Sequence, residues 1–265
     1  MKILKLENLA YSYGENEILK DITHNFVAGE LVGILGANGC GKSTLLKVIM
    51  GFLEKNNGKI YLDNLDSENL SRKAFAKKVA FIAQKSSQNL NFTVLETLKL
   101  GRVPHVKNSF KGLDDEDEKI IQDVIKKLNL QGYLNRDIKS LSGGEFQRVL
   151  LGRAFIQEGE VILLDEPTSA LDINYSLEFL ELLKERIKNK NLIGIIVIHD
   201  INLASLFCDR IVFIKDGKIQ IAGKPEDVIK KEWLEKVYSF VPEILNLNGD
   251  TYVLPKRGER WKKYF

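Results

Sequence analysis

The residues best equipped for chemistry lie in a few short runs. Gly36-Ala37-Asn38-Gly39-Cys40-Gly41-Lys42-Ser43-Thr44 follows an aliphatic run at 31–35 and opens an amphipathic stretch at 42–50. A glycine-rich turn in that position lets backbone N–H groups converge on phosphate oxygens. The helix terminus adds about half a positive charge, and Lys42 bridges the outer phosphates. The Ser43 hydroxyl is an oxygen ligand for magnesium. An accidental match to this spacing occurs in roughly one chain in a hundred of this length. A second run, Val161-Ile162-Leu163-Leu164-Asp165-Glu166, ends a buried-strand pattern in two adjacent carboxylates. Beside a phosphate loop, Asp165 can hold magnesium through its water shell. Glu166, on the opposite side, can polarise a water for in-line attack on a γ-phosphate. A third run, Leu141-Ser142-Gly143-Gly144-Glu145-Phe146-Gln147-Arg148, precedes an amphipathic segment at 149–156 and reads as another helix N-terminus with exposed amides. His199 follows the aliphatic run at 192–198 and Gln84 the run at 79–83, so both stand at strand ends. Taken singly, each has a plainer reading as a turn, a strand, a cap or a structural histidine. The two cysteines differ in setting. Cys40 lies where a helix terminus and Lys42 are expected to favour its thiolate, so that alkylation inhibits and bound magnesium nucleotide protects. Cys208 reads as a small buried filler.

These groups need elements to position them. Aliphatic runs at 31–35, 79–83, 161–164, 192–198 and 210–214 carry little polar alternation, as strands covered on both faces should. Amphipathic stretches lie between them, with Leu180, Leu183 and Ile187 at helical spacing in 178–188. The pattern predicts an α/β fold with a mostly parallel sheet whose carboxyl edge gathers the phosphate loop and the carboxylates. Residues 93–156 hold few strand runs and several helical patterns, including 114–130, and read as a helical insertion; a two-lobed molecule is expected. The acidic run Asp114-Asp115-Glu116-Asp117-Glu118 reads as the favoured first turn of a helix rather than a metal cluster. The basic and aromatic stretch at 256–265 reads as a solvated, frayed terminus.

Composition narrows the classes further. The 265 residues carry 39 Lys and Arg against 36 Asp and Glu, so a net charge of +3 supplies no general attraction to nucleic acid. No aliphatic run approaches the roughly 20 residues of a membrane-crossing helix. The first residues lack the apolar centre of a signal peptide, and two distant cysteines build no disulfide framework, so a reducing cytoplasm is expected.

The ordered set of motifs resembles the ATP-binding subunits of ABC transporters, over nearly the whole chain. The resemblance rests on the phosphate loop, Leu141-Ser142-Gly143-Gly144-Glu145 and Asp165-Glu166. It extends to Tyr13 at an adenine-stacking position, Gln84 at the permease-sensing loop, Ser169-Ala170-Leu171-Asp172 at the D-loop, and His199 as the switch histidine. It implies a phosphate-loop ATPase with a mostly parallel central sheet, an N-terminal antiparallel β portion and an inserted helical subdomain. Its expected boundaries are 1–92 and 157–240 for the core with its β portion, 93–156 for the helical subdomain and 241–265 for a tail. It implies ATP as substrate and Mg2+ held by Ser43, Gln84 and Asp165, with Glu166, His199, Lys42 and Gln84 in catalysis. Nucleotide contacts then fall to Tyr13, Gly36, Ala37, Asn38, Gly39, Cys40, Gly41, Lys42, Ser43, Thr44, Ser142, Gly143, Gly144, Gln147 and Asp172. It also implies a head-to-tail homodimer, each ATP lying between the phosphate loop of one copy and the signature motif of the other. The dimer would sit on transmembrane permease subunits at the cytoplasmic face of the membrane, served indirectly by a substrate-binding protein and without nucleic acid. The segment 93–105, Leu171-Asp172-Ile173-Asn174, and His199-Asp200-Ile201-Asn202-Leu203-Ala204 with Cys208-Asp209-Arg210 resemble importers of iron-siderophore, haem and cobalamin. An iron-chelate importer is expected; a cobalamin or other metal-complex importer, or a soluble ABC ATPase, are the alternatives. Glu145 departs from the Gln of many relatives, a change expected to leave the backbone amides intact.

Overall fold

The computed structural model describes residues 2–84, 91–106 and 112–255, so the stretch at 256–265 lies outside the described residues. Along the chain, β1 (Ile3–Tyr13), β2 (Asn16–Val27) and β3 (Leu31–Leu35) precede α1 (Lys42–Ile49). Then come β4 (Asn57–Leu62), β5 (Leu65–Asp66), α2 (Arg72–Lys78) and β6 (Val79–Ile82). Helices α3 (Val94–Lys99), α4 (Asp115–Lys127) and α5 (Gly143–Ile156) follow, and then β7 (Val161–Asp165), α6 (Ile173–Lys190), β8 (Ile193–Val197), α7 (Ile201–Phe207), β9 (Arg210–Lys215) and β10 (Lys218–Gly223). Short α8 (Pro225–Val228) and α9 (Lys231–Tyr238) lead to β11 (Pro242–Leu247) and β12 (Asp250–Pro255).

Among the described residues the central sheet runs β10-β9-β3-β8-β7-β6, parallel except for the edge strand β10. Its strands are aliphatic throughout because both faces are covered. Ile193, Ile195 and Val197 of β8 join the cluster containing β1, β2 and α1, whereas Ile196 faces the cluster formed with α3 to α7. An antiparallel sheet, β2-β1-β4-β5, supplies the N-terminal β portion, with Leu4, Leu6 and Leu9 buried. The strand order adds one feature that the sequence pattern did not contain. β8 lies between β3 and β7, so the phosphate loop and the paired carboxylates are separated by one strand rather than adjacent. All of these strands run the same way, and pairings such as Ile34 with Val197 and Asp165 with Val197 align their carboxyl ends on one edge.

Helix ends follow their capping residues. Asp172 accepts the Tyr175 amide at 3.0 Å, which starts α6 at 173, earlier than the apolar spacing alone locates it. The acidic run does cap α4: Asp114 and Asp117 complete a capping box. Asp117 does more than that. Its Oδ1 accepts Arg102 Nε at 2.7 Å with both side chains buried, and Arg102 Nη1 also reaches the Ile156 carbonyl at 2.9 Å. Removing one partner of such a pair strands a buried charge at a cost of about 3 kcal/mol or more. The expected tail at 241–265 includes ordered structure, since β11 and β12 pair in register from Pro242 with Pro255 to Leu247 with Asp250.

Candidate functional site

Lys42, the first residue of α1, points back into the loop. It is 5% exposed, and its Nζ donates to the carbonyl oxygens of Gly36 at 2.8 Å and Ala37 at 3.0 Å. The turn is possible because Gly36 has no side chain: a Cβ there would lie 2.2 Å from the Ile214 carbonyl oxygen and 2.7 Å from Cys40 Sγ. Gly41 stands at φ 103 before α1, a conformation open to glycine, so the first amides of α1 open onto the loop. Ser43 Oγ donates to Asp165 Oδ1 at 2.7 Å, spanning the intervening strand and joining the loop to the end of β7.

Asp165 and Glu166 diverge as their sequence adjacency required. Asp165 is buried, and this burial pushes its carboxyl above the usual range against the pull of the Ser43 hydroxyl. Glu166 takes the left-handed conformation, φ 49, and its amide donates to the Val197 carbonyl at 3.1 Å. That turn sends its carboxylate away from Asp165 and between two partners. His199 Nε2 lies 2.5 Å from Oε1, and Gln84 Nε2 donates to Oε2. A non-glycine residue held at positive φ costs roughly 1 kcal/mol, so neighbouring bonds must maintain it.

A cleft of about 370 Å³ is lined by Ile18, Asn38, Gly39, Gly41, Lys42, Ser43, Thr44, Gln84, Glu166 and His199. Seven of the proposed residues, with the two strand-end groups Gln84 and His199 beside Glu166, therefore share a wall with Ile18, which belongs to none of the motifs. Ile18 belongs to β2, and its only sequence signal was a place in an alternating strand; its backbone carbonyl lies against Gly41. Hydroxyl, carboxylate and carboxamide oxygens make a hard donor set that fits magnesium. Among the described residues no three His, Cys, Asp or Glu side chains cluster as a metal site.

Other expected residues lie elsewhere. Tyr13 stands at the end of β1, 50% exposed, edge-on to Tyr11 at 4.9 Å and outside the cleft lining. Ser142, Gly143, Gly144, Gln147 and Asp172 do not line the cleft either. Ser142 caps α5, and Gly144 packs under Tyr175, whose ring would lie 2.6 Å from a Cβ at 144. The signature amides are not all left open, contrary to expectation. The Glu145 carboxylate accepts the Ser142 amide at 2.7 Å, while the Glu145 amide donates to Ser142 Oγ at 3.3 Å. The Ser142 amide, with help from its hydroxyl and Arg136, holds the Glu145 carboxyl below the usual carboxylate range against partial burial.

Cys40 also departs from the expectation of a favoured thiolate. Burial pushes its thiol up and outweighs the opposing pull of Lys42. Cys208 is a buried filler, pushed up to about 12 by burial. Both cysteines are therefore expected to resist iodoacetamide at pH 7, with or without nucleotide, and to label only after denaturation. Mass spectrometry of the alkylated chain checks this, and rapid nucleotide-sensitive labelling of Cys40 would restore the thiolate reading.

Comparison with known proteins comes to the same place. The family model described as ABC transporter matches residues 19–169. An uncharacterized ABC transporter ATP-binding protein of Methanocaldococcus jannaschii is 40% identical over 96% of this chain and 98% of its own length. The iron(3+)-hydroxamate import ATP-binding protein FhuC of Bacillus subtilis is 34% identical over 92% of this chain and 91% of its own. A chain from an inward-facing structure of an ABC transporter described as metal-chelate type superposes with a TM-score of 0.83 at 26% identity, covering 98% of this chain and all of that one.

Proposed function

From its membership of the ABC transporter family, to which this chain belongs as an ATP-binding and ATP-hydrolysing protein, we propose that it powers import of an iron chelate through a partner permease. The observation that carries the catalytic half of this reading is the division of the site. Lys42, Ser43, Gln84, Glu166 and His199 share one cleft, and the Ser142-Gly143-Gly144 helix end lies outside it. A second copy, placed head to tail, would bring its α5 terminus to the γ-phosphate side of ATP in this cleft. Removing water between two helix N-termini strengthens their hold on the triphosphate, and phosphoryl transfer depends mainly on such positioning and charge stabilisation.

In this scheme the loop amides and Lys42 hold the β- and γ-phosphates while Tyr13 stacks on the base. Ser43, Asp165 and Gln84 would hold magnesium, which when bound neutralises phosphate charge. Glu166 accepts the proton of the attacking water, and its contacts with Gln84 and His199 aim the carboxylate. His199 faces the γ-phosphate. Closure of two copies moves permease helices seated near Gln84 and the helical subdomain at 93–156, and phosphate release reopens the pair. The core at 1–92 and 157–240 carries the chemistry, at the cytoplasmic face of the membrane.

The iron chelate is assigned by likeness to the hydroxamate import protein and the metal-chelate transporter. The test is co-purification of the intact complex in detergent, identification of retained ligand, and ATPase stimulation by the loaded binding protein. Retention of an iron chelate and chelate-dependent stimulation are expected. Retention of a corrinoid, or turnover indifferent to any permease, would contradict the assignment.

A further inference from the structure

His199 is followed at once by α7, and α7 is tied to the C-terminal hairpin by one side chain. Asp200 caps the helix: its Oδ1 accepts the amides of Asn202 at 2.8 Å and Leu203 at 3.0 Å. The Asn202 side chain then reaches β12, 51 residues further along. Val253 N–H donates to Asn202 Oδ1 at 2.7 Å, and Asn202 Nδ2 donates to the Val253 carbonyl at 3.2 Å. A carboxamide that bonds both backbone groups of one residue pairs with it as a neighbouring strand would.

The hairpin needs such support. β11 and β12 form a separate two-stranded sheet, and a lone hairpin is marginal in water. Val253 is buried in the same apolar cluster as Leu203 and Ala204, so the hairpin and the first turns of α7 pack as one piece. On its other side His199 is fixed by β8, paired on both edges with β3 and β7. The backbone around His199 is thus gripped upstream by the sheet and downstream by the Asp200 cap and Asn202, while its ring meets Glu166 at 2.5 Å.

We propose that Asn202 is a positioning residue for ATP hydrolysis. By fastening the first turn of α7 to the C-terminal hairpin, it holds the His199–Asp200 segment so that His199 keeps its place between Glu166 and the γ-phosphate. This rests on the reading above of His199 as a γ-phosphate group. A purely structural Asn202 would anchor the hairpin, and its loss would lower thermal stability without singling out the hydrolysis step.

The test compares the full chain with Asn202→Ala, Asn202→Asp, His199→Ala and the double variant Asn202→Ala/His199→Ala. Alanine suits a helix first turn, so Asn202→Ala should fold. Asn202→Asp keeps the acceptor for Val253 N–H but sets an oxygen against its carbonyl, and acts in the same direction. Asn202→Ala is expected to lower kcat about tenfold with KM for ATP within about twofold, the pattern of a misplaced catalytic group rather than weakened binding. The double variant should be no slower than His199→Ala alone, because the effect passes through His199. The chain has three histidines, so the imidazole Cε1–H resonances are readily separated. That of His199 should move in Asn202→Ala while those of His24 and His105 stay. A slow His199→Ala beside an Asn202→Ala with parental kcat and an unmoved His199 resonance overturns the proposal alone. Losses that multiply fully in the double variant overturn it as well. Full turnover in His199→Ala overturns both the proposal and the reading of His199 on which it rests.

Discussion

Replacing Glu166 by glutamine is expected to slow ATP hydrolysis by about 100- to 10,000-fold, the range for loss of a positioned general base, with ATP affinity nearly unchanged. The amide matches the carboxylate in shape, so the contacts with Gln84 and His199 are perturbed little in space. What it lacks is basicity towards the attacking water. The phosphate loop, the Lys42 ammonium and the Ser43–Asp165 bond are untouched, and they are the groups that bind ATP. Single-turnover hydrolysis beside equilibrium binding of a fluorescent ATP analogue separates the two effects. Near-parental hydrolysis would remove Glu166 from the role of base.

Lys42→Ala should act on the other half of the reaction. It is expected to weaken ATP binding and to lower kcat/KM by about 100-fold or more, because the buried ammonium supplies charge that increases in importance as the γ-phosphate separates. The Lys42 head group is already held by the Gly36 and Ala37 carbonyls, so little of its orientation has to be fixed when substrate arrives. The variant removes that charge but leaves the turn itself, which depends on Gly36 and Gly41. Circular dichroism should therefore match the parent while kcat/KM falls. Parental kcat/KM would show that the loop amides alone carry the phosphates.

The cleft was largely legible because its chemistry is compressed into short runs. The phosphate loop, Asp165-Glu166, Gln84 and His199 each sit at or within two residues of the end of an aliphatic strand, and parallel strands gather their carboxyl ends at one edge. Strand order was not legible, since nothing in local periodicity states that β8 separates β3 from β7. Ile18 escaped notice for a related reason: it reaches the cleft through packing of β2 on Gly41, a contact between residues more than twenty apart. The Cys40 thiolate failed on magnitude, because charge attraction was visible in sequence and the opposing burial was not. Glu145 shows the converse: the capping box that takes the Ser142 amide is implicit in the Ser-x-x-Glu spacing. The hairpin at the C-terminal end has only six residues per strand and no clean apolar alternation, so without its partner α7 nothing in it stands apart from a tail.

In the proposed mechanism a second copy of the chain completes the site. Sedimentation velocity of Glu166→Gln with saturating magnesium ATP addresses this directly, with Ser142→Arg in the same background as control. The predicted result is a species of twice the chain mass that appears only with nucleotide and vanishes when Ser142 is replaced. A chain that stays monomeric at saturating ATP, or a dimer indifferent to both nucleotide and Ser142, would contradict it.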